Sequence, residues 1–183
     1  MRTWARTLDA TMRADGASLL AYARELCGDP ETAERLLEDA LTRTFARARV
    51  PEGRDDARGA VRDELRRAAV QLDAPAGEAR EAADPFAPPG PVLPLDGTDA
   101  SSTRAALAAL TPRERAVLVM RYSDGLAVPA IAAGAHLHEA AVRDALTTAV
   151  TRLLALEPRL GLRVEDALEG GVLDSAAVTV EAG

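Results

Sequence analysis

Side chains able to do covalent chemistry are few in this chain, and they do not converge. Cys27 is the only thiol, and His136 and His138 are the only imidazoles. No zinc cluster can be assembled from these three. The two histidines stand two residues apart in a predicted turn, a spacing that on a helix does not turn them toward one another. They read as a solvated turn, with no metal and no cofactor expected. Cys27 falls on an apolar stripe and reads as core packing. No nucleophile, base and oxyanion group stand together, and there is no Gly-rich phosphate loop. An enzyme is therefore not expected.

The chemistry the chain does offer is that of arginine. All 22 basic residues are Arg, the side chain whose planar fork suits phosphate and carboxylate alike. Arg58, Arg62 and Arg66 recur every fourth position and so share one helix face. Spacing alone leaves two uses open: touching phosphates, or pairing with Asp55, Asp56, Asp63 and Glu64. Further on, Arg143, Thr147, Thr148 and Arg152 fall on the outward face of another predicted helix, where an Arg fork can take a guanine edge. Glu34, Arg35, Glu38 and Asp39 form the polar side of an earlier helix, which on spacing alone reads as a solvated face.

The helices that must position these groups are legible from spacing. Leu19, Leu20, Ala23, Leu26 and Cys27 recur at helical intervals up to Gly28. Asp29-Pro30 restarts a helix as N-cap and first residue, with Ala33, Leu36, Leu37, Ala40, Leu41, Thr44 and Phe45 as its apolar stripe. A third helix over about Asp55–Leu72 buries Ala57, Val61, Leu65, Ala68 and Leu72. With a separate segment around Trp4–Met12 the first module would hold four helices. Thr111-Pro112-Arg113-Glu114 is a capping box that opens a helix running to Ser123. Pro129–Ala133 opens a short one, and after a turn at Gly134–His138 a long amphipathic helix carries Val142, Leu146, Ala149, Val150 and Leu153. Helix, short helix, tight turn and long helix is the outline of a helix-turn-helix domain.

The expected fold is all-α, in two small helical domains. Residues 1–73 make the first, 74–103 an acidic linker holding six of the eleven prolines, 104–160 the helix-turn-helix domain, and 161–183 an acidic flexible tail with at most a short helix near Val164–Leu168. The net charge of −7 divides among these segments as −1, −4, +2 and −4. A protein that coats nucleic acid by charge alone is thereby excluded. No basic start followed by an apolar run and no apolar stretch of roughly 18 residues occurs, so the chain reads as soluble and cytoplasmic, with no membrane partner.

Two stretches carry a family likeness. Leu19–Phe45, LLAYARELCGDPETAERLLEDALTRTF, resembles region 2 of the small two-domain extracytoplasmic-function (ECF) sigma factors of bacteria. Leu110–Leu153, LTPRERAVLVMRYSDGLAVPAIAAGAHLHEAAVRDALTTAVTRL, resembles their region 4 and also the LuxR-type DNA-binding domain. The sigma likeness implies docking on core RNA polymerase through Glu34, Arg35, Leu37, Glu38 and Asp39, with an anti-sigma factor as a further partner. It implies promoter contact through Arg143, Thr147, Thr148 and Arg152, joined by Arg58, Arg62 and Arg66.

The chain departs from the family pattern at several of these positions. Arg35 and Glu38 replace the usual Asp and Gln, His136 replaces a turn Gly, and His138 replaces a capping Ser. Ala46–Leu72 holds no aromatic for stacking on melted bases. The reading face Glu139, Arg143, Asp144, Thr147, Thr148, Thr151 and Arg152 has no net charge. Weak DNA binding is expected. Two alternative readings stand beside the sigma-factor one: a sigma-like regulator or adaptor that keeps the fold but has lost promoter melting, with or without DNA binding, and a LuxR-type helix-turn-helix regulator.

Overall fold

A computed structural model describes residues 3–46, 51–72 and 105–169. The Pro-rich linker and the tail beyond residue 169 lie outside the described residues. All regular structure among the described residues is helical: α1 Thr3–Cys27, α2 Pro30–Phe45, α3 Arg54–Val70, a helical turn at 105–108, α4 Pro112–Tyr122, α5 Val128–Ala135, α6 Glu139–Leu156, a 3-10 turn Pro158–Leu160 and α7 Val164–Glu169.

Helix α1 corrects one expectation: Trp4–Met12 and Leu19–Cys27 are parts of one 25-residue helix. Gly16 in its middle weakens a helix by about 1 kcal/mol relative to Ala, but the neighbouring Asp15 is tied down. Arg54 on α3 grips the buried Asp15 carboxylate through Nε at 2.8 Å and Nη2 at 3.3 Å. A charge-assisted fork of this kind fixes the helix where its own propensity is poorest. The helix stops at Gly28, whose φ of 79° is left-handed and favours glycine.

The next start is built as its residues dictate. Asp29 caps α2, its Oδ2 accepting from the Thr32 amide at 2.8 Å, with Pro30 in the first turn. At α4 the capping box is complete: Thr111 Oγ1 accepts from the Glu114 amide at 3.2 Å, and the Thr111 amide donates to Glu114 Oε2 at 2.9 Å. Helix α5 ends at His136, a non-glycine residue with φ 55°. Helix α6 follows His138, an N-cap without a side-chain bond.

Helices α1, α2 and α3 pack on one another, and α4, α5 and α6 form the second unit. The two units are not separate. Helices α1 and α3 pack against α4, α3 also meets α5, and the buried apolar residues form one cluster running from Leu19 through Leu65 and Val117 to Leu153. Helix α7, at the start of the acidic segment, packs on α6. The buried Arg121 holds it from α4, donating to the carbonyls of Ala167 at 2.9 Å and Asp166 at 3.0 Å.

Candidate nucleic-acid interface

Helix α6 is the outer helix of the helix-turn-helix. Val142, Leu146, Ala149, Val150 and Leu153 face the core, which leaves Glu139, Arg143, Asp144, Thr147, Thr148 and Thr151 exposed. Arg143 Nη2 stands 3.8 Å from the Glu139 carboxylate one turn back, and both are half exposed. An exposed pair of this kind is weak and leaves Arg143 free to swing toward a base. Thr148 turns its hydroxyl back to the Asp144 carbonyl at 2.9 Å.

Arg152 departs from the expected outward face. Glu114, whose other role is to close the capping box, draws it inward: Nη1 donates to Glu114 Oε2 at 2.7 Å and to the Ala109 carbonyl at 3.4 Å. A carboxylate that is 10% exposed outcompetes water for this guanidinium. The exposed side of α6 thus keeps Arg143, Thr147 and Thr148 and loses Arg152.

Two more arginines of this unit bond to backbone carbonyls of the first. Arg113 donates to the Val70 carbonyl at the end of α3 (3.1 Å). Arg115 donates to the Glu25 carbonyl at the end of α1 (2.8 Å) and to Leu107 (2.9 Å). Burial pushes the Arg115 pKa down. Both arginines sit where helix C-termini present unpaired carbonyls and a partial negative charge, which is where a cation is stabilising.

Three of the α3 arginines, Arg62, Arg66 and Arg67, lie along the seam between the units. Arg58 is exposed and 3.9 Å from Asp15. Arg62 and Arg66 both reach Asp124, in the turn between α4 and α5, at 2.6 Å and 3.0 Å. Tyr22 of α1 completes the node. Its hydroxyl donates to Asp124 Oδ2 at 2.5 Å and accepts from Arg66 Nε at 2.9 Å, and the Arg62 guanidinium lies 4.2 Å above its ring. Burial, then the bond to Asp124, push the Tyr22 pKa up. Arg67, next along α3, spans the same seam to the Gly134 carbonyl at 3.3 Å.

Of the local acids expected to pair with these arginines, Asp63 holds Arg66 at 2.8 Å and Glu64 holds Arg67 at 2.5 Å. Asp56 instead accepts from the Glu52 amide. Sequence reasoning missed Tyr22, Asp15 and Asp124, since all three meet α3 only through tertiary packing. Tyr22 lies on the α1 stripe and could have been flagged as an aromatic with a polar tip needing a buried partner.

On α2, Glu34, Arg35, Glu38 and Asp39 are exposed along one side, whereas Leu37 is buried at 7% exposure and belongs to the core. A docking face on this helix therefore excludes Leu37. Beside it runs a groove of about 470 Å³ between α1 and α2, lined by Trp4, Leu8, Met12, Leu41 and Phe45 with Glu38 at its rim. Trp4, Leu8 and Met12 stand four apart, so their stripe was visible in the sequence.

No group of three His, Cys, Asp or Glu side chains that could hold a metal occurs among the described residues. Nor is any described helix long and apolar enough to cross a membrane.

Comparison with curated proteins and with solved structures gives no match for the chain. A family model does match: residues 106–154 fit Sigma-70, region 4, and no region 2 match accompanies it. The matched stretch runs from the turn before α4 through most of α6 and contains the whole helix-turn-helix. The second unit of this chain is a Sigma-70 region 4 domain, a non-enzymatic DNA-binding domain, and it points to a sigma-factor-like role in transcription.

Proposed function

We propose that the chain is a divergent ECF-type sigma factor that binds core RNA polymerase through the exposed side of α2 and contacts promoter DNA through α6. The observation that carries this reading is the region 4 match over a complete helix-turn-helix whose outer helix leaves Arg143, Thr147 and Thr148 open to solvent. The exposed acids Glu34, Glu38 and Asp39 on α2 support a docking face for a basic partner surface. The polymerase need not find any catalytic group here, since a sigma factor acts by binding and positioning.

A second reading is favoured by the engagement of Arg62, Arg66 and Arg152 inside the molecule. With those three held by carboxylates, the chain would act as a sigma-like adaptor that binds polymerase without melting a promoter. Pull-down with core polymerase followed by run-off transcription on genomic fragments separates the two. Binding with discrete transcripts supports the sigma factor, binding without transcripts supports the adaptor, and no binding removes both.

A further inference from the structure

Among the described residues, the charged cluster at the seam between the two units is closely enclosed. The Asp124 side chain is 4% exposed. Two guanidinium groups and one phenolic hydroxyl converge on it. A phosphate oxygen would be held by the same donors in the same geometry. We propose that Asp124 is an internal competitor for that position: it latches the helix-turn-helix unit onto the first and keeps Arg62 and Arg66 from nucleic acid until the seam opens. The proposal rests on reading the α3 arginines as a nucleic-acid face.

Three features carry it. The described side-chain hydrogen bonds across the seam all have an arginine or Asp124 as one partner: Tyr22, Arg62 and Arg66 to Asp124, Arg67 to Gly134, Arg113 to Val70 and Arg115 to Glu25. The units also share an apolar core, which opposes opening; these polar contacts add directional hold while they last, and water satisfies both sides once they part. Next, Arg62 Nε is buried with no partner. The closed state leaves this donor unused, and an incoming oxyanion on the same guanidinium can take it. Finally, Tyr22 is buried against Arg62 and Arg66. Opening the seam uncovers, beside the arginine row, the aromatic ring that residues 46–72 lack. An aromatic next to a basic track is the pairing that single strands use.

The test uses the full chain carrying Asp124→Asn, which keeps the shape and removes the charge. Small-angle scattering should give a larger radius of gyration. Cys27, whose thiol feels the Arg115 charge at the same seam, should react faster with a maleimide. Binding of a labelled single DNA strand of about 20 nucleotides at low salt should tighten about tenfold, its log–log salt slope steepening by about 0.7 per phosphate gained. Adding Arg62→Ala and Arg66→Ala should cancel that gain.

Unchanged scattering and unchanged Cys27 labelling overturn the latch. Opening with no gain in strand affinity keeps Asp124 as the latch and removes the nucleic-acid reading of α3. If Asp124→Asn loses its helical circular dichroism, Tyr22→Phe takes its place, deleting one hydroxyl from the node. Faster Cys27 labelling with unchanged helicity then supports the latch, and unchanged labelling overturns it.

Discussion

His136 holds a left-handed backbone conformation (φ 55°) at the turn before α6, a region that penalises a Cβ by about 1–2 kcal/mol. His136→Gly is expected to stabilise the fold by about 1 kcal/mol after allowing for the looser unfolded chain, raising the thermal midpoint by a few degrees. His138 caps α6 without a side-chain bond. His138→Ser supplies the missing acceptor and should add about 1 kcal/mol; a lowered midpoint in either variant would refute this account of the turn. Gly28 is the opposite case. At φ 79° a Cβ there would lie 2.6 Å from Arg115 Nη1, so Gly28→Ala should destabilise by about 2–3 kcal/mol in urea unfolding. Residue chemistry was legible where partners are local, as with Asp29 and Thr111. It was not legible at Arg62 and Arg66, because the carboxylate they share lies 62 and 58 residues away.

At the scale of elements, periodicity located α2 to α6 to within a residue or two, and at α2 and α4 a side-chain cap points the same way as the apolar stripe. Helix α1 was legible at its Gly28 end and not in its middle. Its middle carries Gly16, and Arg54, from another helix, pairs with Asp15 beside it. The exposed side of α2 makes a clean experiment. Glu38→Arg with Asp39→Arg should abolish binding to core polymerase in a pull-down while leaving circular dichroism unchanged, as exposed charges contribute roughly 0–1 kcal/mol to stability. Retained binding would move the docking face elsewhere. The groove at Trp4, Leu8 and Phe45 adjoins this side of α2; the sequence showed its stripe but not that α2 leaves it open.

For the molecule as a whole, the sequence divided the chain at the linker, and the folded units nonetheless share a core. The fit of α4 against α1 and α3 depends on surfaces that exist only after each unit has formed. The Tyr22 node makes that fit sensitive to base. Its phenol pKa is raised on folding, so the node contributes fully below the ordinary tyrosine value of about 10 and is lost as pH climbs beyond it. Thermal stability should fall steeply at alkaline pH, and less so in Tyr22→Phe, with Cys27 and Tyr122, also raised by burial, supplying the remainder. An equal alkaline fall in both chains would place the sensitivity elsewhere. On duplex DNA, an α6 face with Arg143 as its one exposed guanidinium should give a log–log salt slope of only about 1–2.

The space left by the absent Gly28 side chain has a consequence for the order of folding. The α1–α2 junction forms from contacts a few residues apart, whereas Arg115 reaches the Glu25 carbonyl across 90 residues of sequence. Local contacts close early and distant ones late. The junction is thus a socket finished before its plug arrives, and on a ribosome the first unit stands complete while α4 is still being made. Docking of α4 is then the slow step of refolding, and Gly28→Ala should retard that late phase while sparing the early gain of helix in stopped-flow circular dichroism.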